Sequence, residues 1–170
     1  EFDPASRERV WIERLDIHDT HDVDLLDSGR LLVANMRNYD ASTGENDDRI
    51  FVYDRGADEV VWEWLFREHG YNRSGGGPYA GENDDWTHVN DVDEIRDGEY
   101  LVSVRNFDQV IVVNRSTKAV EMRLGRDGAH EVMFEQHNPQ YLVSDEGRPT
   151  VLVADSENGR IVEYERRGGE

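Results

Sequence analysis

Histidines and one arginine are the residues of this chain best suited to chemistry. His21, His88 and His137 each stand at the start of an apolar stretch that recurs along the chain. Imidazoles titrate near neutral pH, so a group of them gathered at one point can hold and pass protons. Arg105 closes the apolar run Ser103-Val104-Arg105-Asn106. An arginine there needs a reason, because an unpaired buried charge is expensive. One reason is a nearby carboxylate partner. The other is an anion clamp, in which the rigid guanidinium fork meets sulfate or phosphate oxygens. The plainer reading of the three histidines is turn or strand-edge residues satisfied by neighbouring carboxylates. His18 and His69 read as solvated loop residues. His130 also precedes the third recurrence and competes with His137 for its place.

The elements that must position these groups are repeats. Each contains a polar or acidic lead, a turn containing Asp or Ser with Gly, and apolar strands. The first copy runs from His21-Asp22-Val23-Asp24 to Val60-Val61-Trp62-Glu63-Trp64. The second runs from His88 to Leu124, and the third from His137 to Tyr164. β-Branched runs such as Val110-Ile111-Val112-Val113, cut by Asp-Gly and Asn-Arg turns, predict strands, and no segment keeps a helical period. Repetition at this spacing predicts a propeller, since one unit cannot bury its own apolar face. The expectation is an all-β chain forming part of a β-propeller, within a single domain over 1–170. Its units are 18–68, 86–125 and 129–166, preceded over 1–17 by the closing strand of an earlier blade, Val10 to Leu15. Three blades and a fraction do not close a ring, so pairing with missing blades or with a second copy is expected. A propeller aims the starts of its innermost strands at a shared channel, which would bring the three histidines together.

Acidic residues number 38 against 19 basic, giving a net charge of -19. Such a surface repels nucleic acid and anionic membranes. Lys118 is the only lysine. This balance predicts a salt-adapted protein, because molar salt shortens the Debye length to about 3 Å and screens self-repulsion. No cysteine is present, which excludes disulfides, thiolate metal sites and cysteine nucleophiles. No apolar run reaches the length of a membrane span. The chain begins at Glu1 rather than Met, so a piece of a longer protein is expected and its location stays open, extracytoplasmic or membrane-tethered placement included. Ser74-Gly75-Gly76-Gly77-Pro78-Tyr79 lacks the ending of a phosphate loop and reads as an inter-blade loop over the channel mouth. Asp91-Val92-Asp93 with Asp97-Gly98 lacks the spacing and terminal Glu of a calcium loop, so no metal is expected.

The ordered set Asp85-Trp86-Thr87-His88-Val89-Asn90, then Ser103-Val104-Arg105-Asn106, Leu124-Gly125 and Phe134-Glu135-Gln136-His137 resembles the aryl-sulfate sulfotransferase family. His21-Asp22-Val23 before a Ser-Gly turn resembles an earlier element of that family. The resemblance extends over roughly residues 10 to 165 and implies a six-bladed propeller. It also implies transfer of a sulfuryl group from a phenolic sulfate ester to a phenol, through a sulfohistidine and without a nucleotide donor or other cofactor. It places the nucleophile at His137, supporting roles at His88, His21 and Arg105, and substrate contacts at Asn90, Asn106 and Trp86. The partners implied are a small-molecule aryl sulfate and a phenol. The third unit, ending Val153-Ala154-Asp155-Ser156-Glu157-Asn158-Gly159-Arg160-Ile161, looks equally like an NHL-type repeat. That gives the alternative of a non-catalytic binding or scaffold propeller.

Overall fold

The computed structural model describes residues 2–3, 5, 8–9, 11–40, 42–72, 75 and 85–166. Eleven strands build three antiparallel sheets that pack face to face as blades of a β-propeller. Blade 1 holds β1 (Asp19–Leu25), β2 (Leu31–Met36), β3 (Arg49–Asp54) and β4 (Glu59–Leu65). Blade 2 holds β5 (Val89–Arg96), β6 (Glu99–Val104), β7 (Gln109–Asn114) and β8 (Val120–Gly125). Blade 3 holds β9 (His137–Val143), β10 (Pro149–Asp155) and β11 (Arg160–Glu165). Within each blade the strands follow one another in sequence order. Two short ribbons, Phe2–Asp3 with Glu8–Arg9 and Tyr39–Asp40 with Glu45–Asn46, lie outside the blades.

The sequence character of each strand follows from its place in a blade. The central strands β2, β3, β6 and β7 are almost wholly buried, because another blade or segment covers each face. Their apolar residues are therefore nearly continuous rather than alternating. Leu32, Ala34, Ile50, Val52 and Trp64 of blade 1 meet Tyr100, Val102 and Ile111 of blade 2 in the main core. Trp62 and Trp64 also donate their indole N–H groups to the Arg115 and Lys118 carbonyls, both at 2.9 Å, locking blade 1 to the β7–β8 turn. Leu101, Val110 and Val112 on the opposite side of blade 2 pack against Met133, Val151 and Val153.

The first strand β1 is polar, Asp-Thr-His-Asp-Val-Asp-Leu, because it is an edge strand next to the neighbouring blade's first strand. An edge leaves unpaired N–H groups, which need acceptors when buried. Asp22 accepts the Val92 N–H at 2.9 Å and Asp24 accepts the Glu94 N–H at 3.1 Å. The acidic lead of the repeat thus ties one blade to the edge of the next.

The segment expected as an earlier closing strand is different. Trp11 to Leu15 form no ladder among the described residues, and Val10 lies outside them. Trp11, Leu15 and Ile17 instead lie over Val33, Phe51 and Tyr53 on the free face of blade 1. Burying that face was enough to position them without strand pairing. The glycine-rich loop falls outside the described residues apart from Gly75.

Candidate active site at the channel mouth

The leading ends of the three first strands carry β-bulges at one level. The ladder slips between Thr20 and Asp22 in β1, between Val89 and Asp91 in β5, and between His137 and Gln140 in β9. A bulge re-aims side chains and is frequent beside active sites. His21 is the bulged residue of β1. His88 precedes β5 in a left-handed conformation, φ 46°. His137 opens β9. The His21 and His88 rings lie 4.7 Å apart between centroids, tilted by 55°.

His137 is held by one backbone carbonyl and one hydroxyl. Its Nδ1 lies 3.1 Å from the Glu135 carbonyl oxygen and 2.9 Å from Ser156 Oγ. A carbonyl can only accept, so the hydrogen belongs on Nδ1 and the lone pair on Nε2. Burial and the Arg105 charge, followed by His88 and His21, hold the proton affinity of His137 below the ordinary imidazole range, against the Glu135 carbonyl. His137 is therefore neutral near pH 7, with a lone pair on Nε2. Burial and His88 lower the proton affinity of His21 in the same way, opposed by Asp19 and Asp85.

Arg105 follows β6 in a short 3₁₀ turn, Arg105–Phe107. It pairs with Glu135, which is 4% exposed, and donates to Asn106 Oδ1 at 2.9 Å. This partly buried arginine therefore has a carboxylate partner, which comes from beside His137. Gln136 explains the rest of the Glu-Gln-His run. Its amide donates to Ser103 Oγ at 3.1 Å and to the Gln109 carbonyl at 2.8 Å, anchoring the segment to blade 2. Gly125, φ 82°, ends the Leu-Gly element because a Cβ there would collide with the Asp108 carbonyl.

The three residues expected to touch substrate divide differently. Asn90 donates to the Gln136 carbonyl at 2.9 Å, while its Oδ1 is buried without a hydrogen bond among the described residues. Asn106 is 4% exposed and braces the site, donating to the Asp85 carbonyl at 2.6 Å and accepting from Arg105. Trp86 is 2% exposed and packs edge-on to Phe107 within the main core. His130 stands apart from the group. It pairs with Asp108 at 3.3 Å and stacks on Phe134 at 3.9 Å. His69 stacks on Trp64 at 4.2 Å, and His18 is exposed.

Four residues absent from the sequence-based site belong to it: Arg37, Asp85, Glu135 and Ser156. Asp85 Oδ2 lies 2.5 Å from His88 Nδ1 and 3.1 Å from an Arg37 nitrogen. Burial pushes the Asp85 carboxyl up, yet the His88 hydrogen bond and charge, with Arg37, bring it below the usual carboxylate range. Further along the first strands lie Asp22, Asp24, Asp91 and Asp93. Burial, then Asp93, Asp22 and Asp24, push the Asp91 carboxyl up to about 8. Among the described residues no cluster of His and acidic side chains is arranged to hold a metal ion.

This geometry brings together a neutral imidazole, a second histidine buttressed by a carboxylate, and an arginine. The family model for arylsulfotransferase (ASST) matches residues 10–150. The chain belongs to the arylsulfotransferase family. No curated protein matches it. Among solved structures it is similar to the WD40 β-propeller domain of Doa1, at 13% identity and a TM-score of 0.45. That match covers 88% of this chain and 42% of the other, so the chain spans less than half the length of the propeller it matches. The family supports an arylsulfotransferase-like function in general, and the propeller blades agree with it.

Proposed function

We propose that His137 is the nucleophile of a ping-pong sulfuryl transfer between an aryl sulfate and a phenol. The observation that carries this reading is the Nδ1 of His137 against the Glu135 carbonyl, which leaves the Nε2 lone pair for attack. In the first half-reaction Nε2 bonds to sulfur as the sulfur–oxygen bond to the aryl group breaks. The departing phenolate takes a proton from His88. In the second, a phenol gives its proton to His88 as its oxygen bonds to sulfur and the nitrogen–sulfur bond breaks. The proton on His137 Nδ1 stays with the Glu135 carbonyl throughout. A phenol has a pKa of about 10, so its departure gains from a proton donor at pH 7.

Arg105 supplies positive charge where the sulfuryl oxygens gather negative charge, a contribution worth a few kcal/mol when such donors are preorganised. Asn90, with its unsatisfied Oδ1, and His21 line the remaining side. Further blades, in the same polypeptide or from a second copy, complete the wall of the mouth. Initial rates with phenyl sulfate as donor and a second phenol as acceptor test the reading. Parallel double-reciprocal lines are expected. Intersecting lines would place both substrates on the enzyme together and remove the covalent route. Channel binding of a peptide or glycan without any transfer would favour the non-catalytic propeller.

A further inference from the structure

Arg37 has no part in the transfer as written, yet it is built into the mouth. It directly follows β2, as Arg105 follows β6, and it holds φ 52°, a conformation uncommon for a side chain of its size. One Nη lies 3.0 Å from Asp19 Oδ2 and the other 3.1 Å from Asp85 Oδ2. The same Asp85 oxygen is 2.5 Å from His88 Nδ1. The second Asp85 oxygen is buried without a hydrogen bond among the described residues. One carboxylate oxygen therefore serves both the arginine and the histidine.

We propose that Arg37 is a positioning residue, which fixes the Asp85 carboxylate and through it the ring and tautomer of His88. This role rests on the proposed transfer only for the step that His88 performs. A carboxylate at Nδ1 keeps a hydrogen there and leaves Nε2 to exchange the working proton, as outer partners do for other functional histidines. Without the guanidinium, Asp19 and Asp85 lose the cation between them, and Asp85 is free to rotate off His88. The charged and titratable groups facing this pair are His21 and Asp19 from β1, Arg37 after β2, Asp48 before β3, and Asp85 itself. His137 and Arg105 face it from across the mouth.

The test uses Arg37→Gln and Arg37→Lys in the full chain, with two independent readouts. The first is kcat and KM with phenyl sulfate and with 4-nitrophenyl sulfate. Arg37→Gln is expected to lower kcat about 10-fold for phenyl sulfate, the scale of losing an outer partner, at unchanged KM. The loss should be smaller for the nitro compound, whose phenolate leaves without a proton. Arg37→Lys keeps the charge and should recover part of the rate. The second readout is the His88 Nδ1 proton by NMR, present in wild type and in Arg37→Lys and lost to exchange in Arg37→Gln. A raised KM at unchanged kcat would show that Arg37 touches the substrate and overturn the assignment. If the wild type transfers no sulfuryl group, the function fails, and the Nδ1 proton alone decides Arg37: its loss supports the positioning role and its persistence overturns it.

Discussion

Between blades 1 and 2, Asp22 and Asp24 accept backbone N–H groups of β5. Between blades 2 and 3, Asp91 and Asp93 occupy the same register. Asp22 pairs with Ala34 as Asp91 pairs with Ser103, and Asp24 with Leu32 as Asp93 with Leu101. Yet Asp91 Oδ2 is buried with no hydrogen bond among the described residues. An open groove lined by Asp24, Asp93, Glu94 and Gln140 lies beside the first strands there. An Asp-x-Asp lead is therefore a tie only where the next edge comes within reach. Where it does not, burial and then the neighbouring carboxylates push the Asp91 and Asp93 carboxyls up.

Packing separates the two seams most. Trp64 is fully buried in the first, so Trp64→Ala should cost about 3–5 kcal/mol, measured by urea unfolding. Met133→Ala in the second should cost nearer 2 kcal/mol, the low end for its type. A larger loss at Met133 would reverse the ranking of the seams. The tie itself is the next effect. Asp22→Ala leaves the Val92 N–H without its acceptor and should cost about 1–3 kcal/mol. The equivalent Asp91→Ala should cost less, and equal losses would mean that both leads are tied.

The third effect is one of pH. The unfolded Asp91 carboxyl loses its proton near pH 4, while the folded one keeps it to about 8. Across that window the unfolded chain binds fewer protons, so folding stability falls as pH rises from about 4 to about 8 and levels above it. Asp91→Asn removes the proton and should flatten the slope, leaving the part due to Asp93, which is also raised. An unchanged slope would clear Asp91 of strain. The smallest effect is ionic. With a net charge of -19, the melting temperature should rise from dilute buffer to molar KCl, and Asp91→Asn should show slightly less of that rise. Equal midpoints in both solutions would remove the salt-adapted reading.

The blades were legible because Leu31–Met36 and its counterparts are apolar runs bounded by Gly turns, a pattern that local sequence carries. The meeting of His21 and His88 was legible for the same reason, since each sits at the head of a unit. Arg37 was not, because its partner Asp85 is 48 residues away and only the packing of blade 1 on blade 2 joins them. The motif around Trp86 was visible, but its direction was not, since residue type does not say which side of a turn an indole takes. Trp11 and Leu15 match a strand pattern, yet strand formation requires a ladder partner as well as a pattern. His130 and His137 were inseparable by position alone. The Asp108 pair and the Phe134 stack set His130 apart.

The proposed transfer stands or falls on whether His137 forms the covalent bond. Incubating the chain with phenyl sulfate, quenching in base and digesting for mass spectrometry tests it directly. One added SO₃ group is expected on the peptide carrying His137, absent from His137→Ala and retained in His130→Ala. An SO₃ group still formed in His137→Ala, or found on His130, would contradict it.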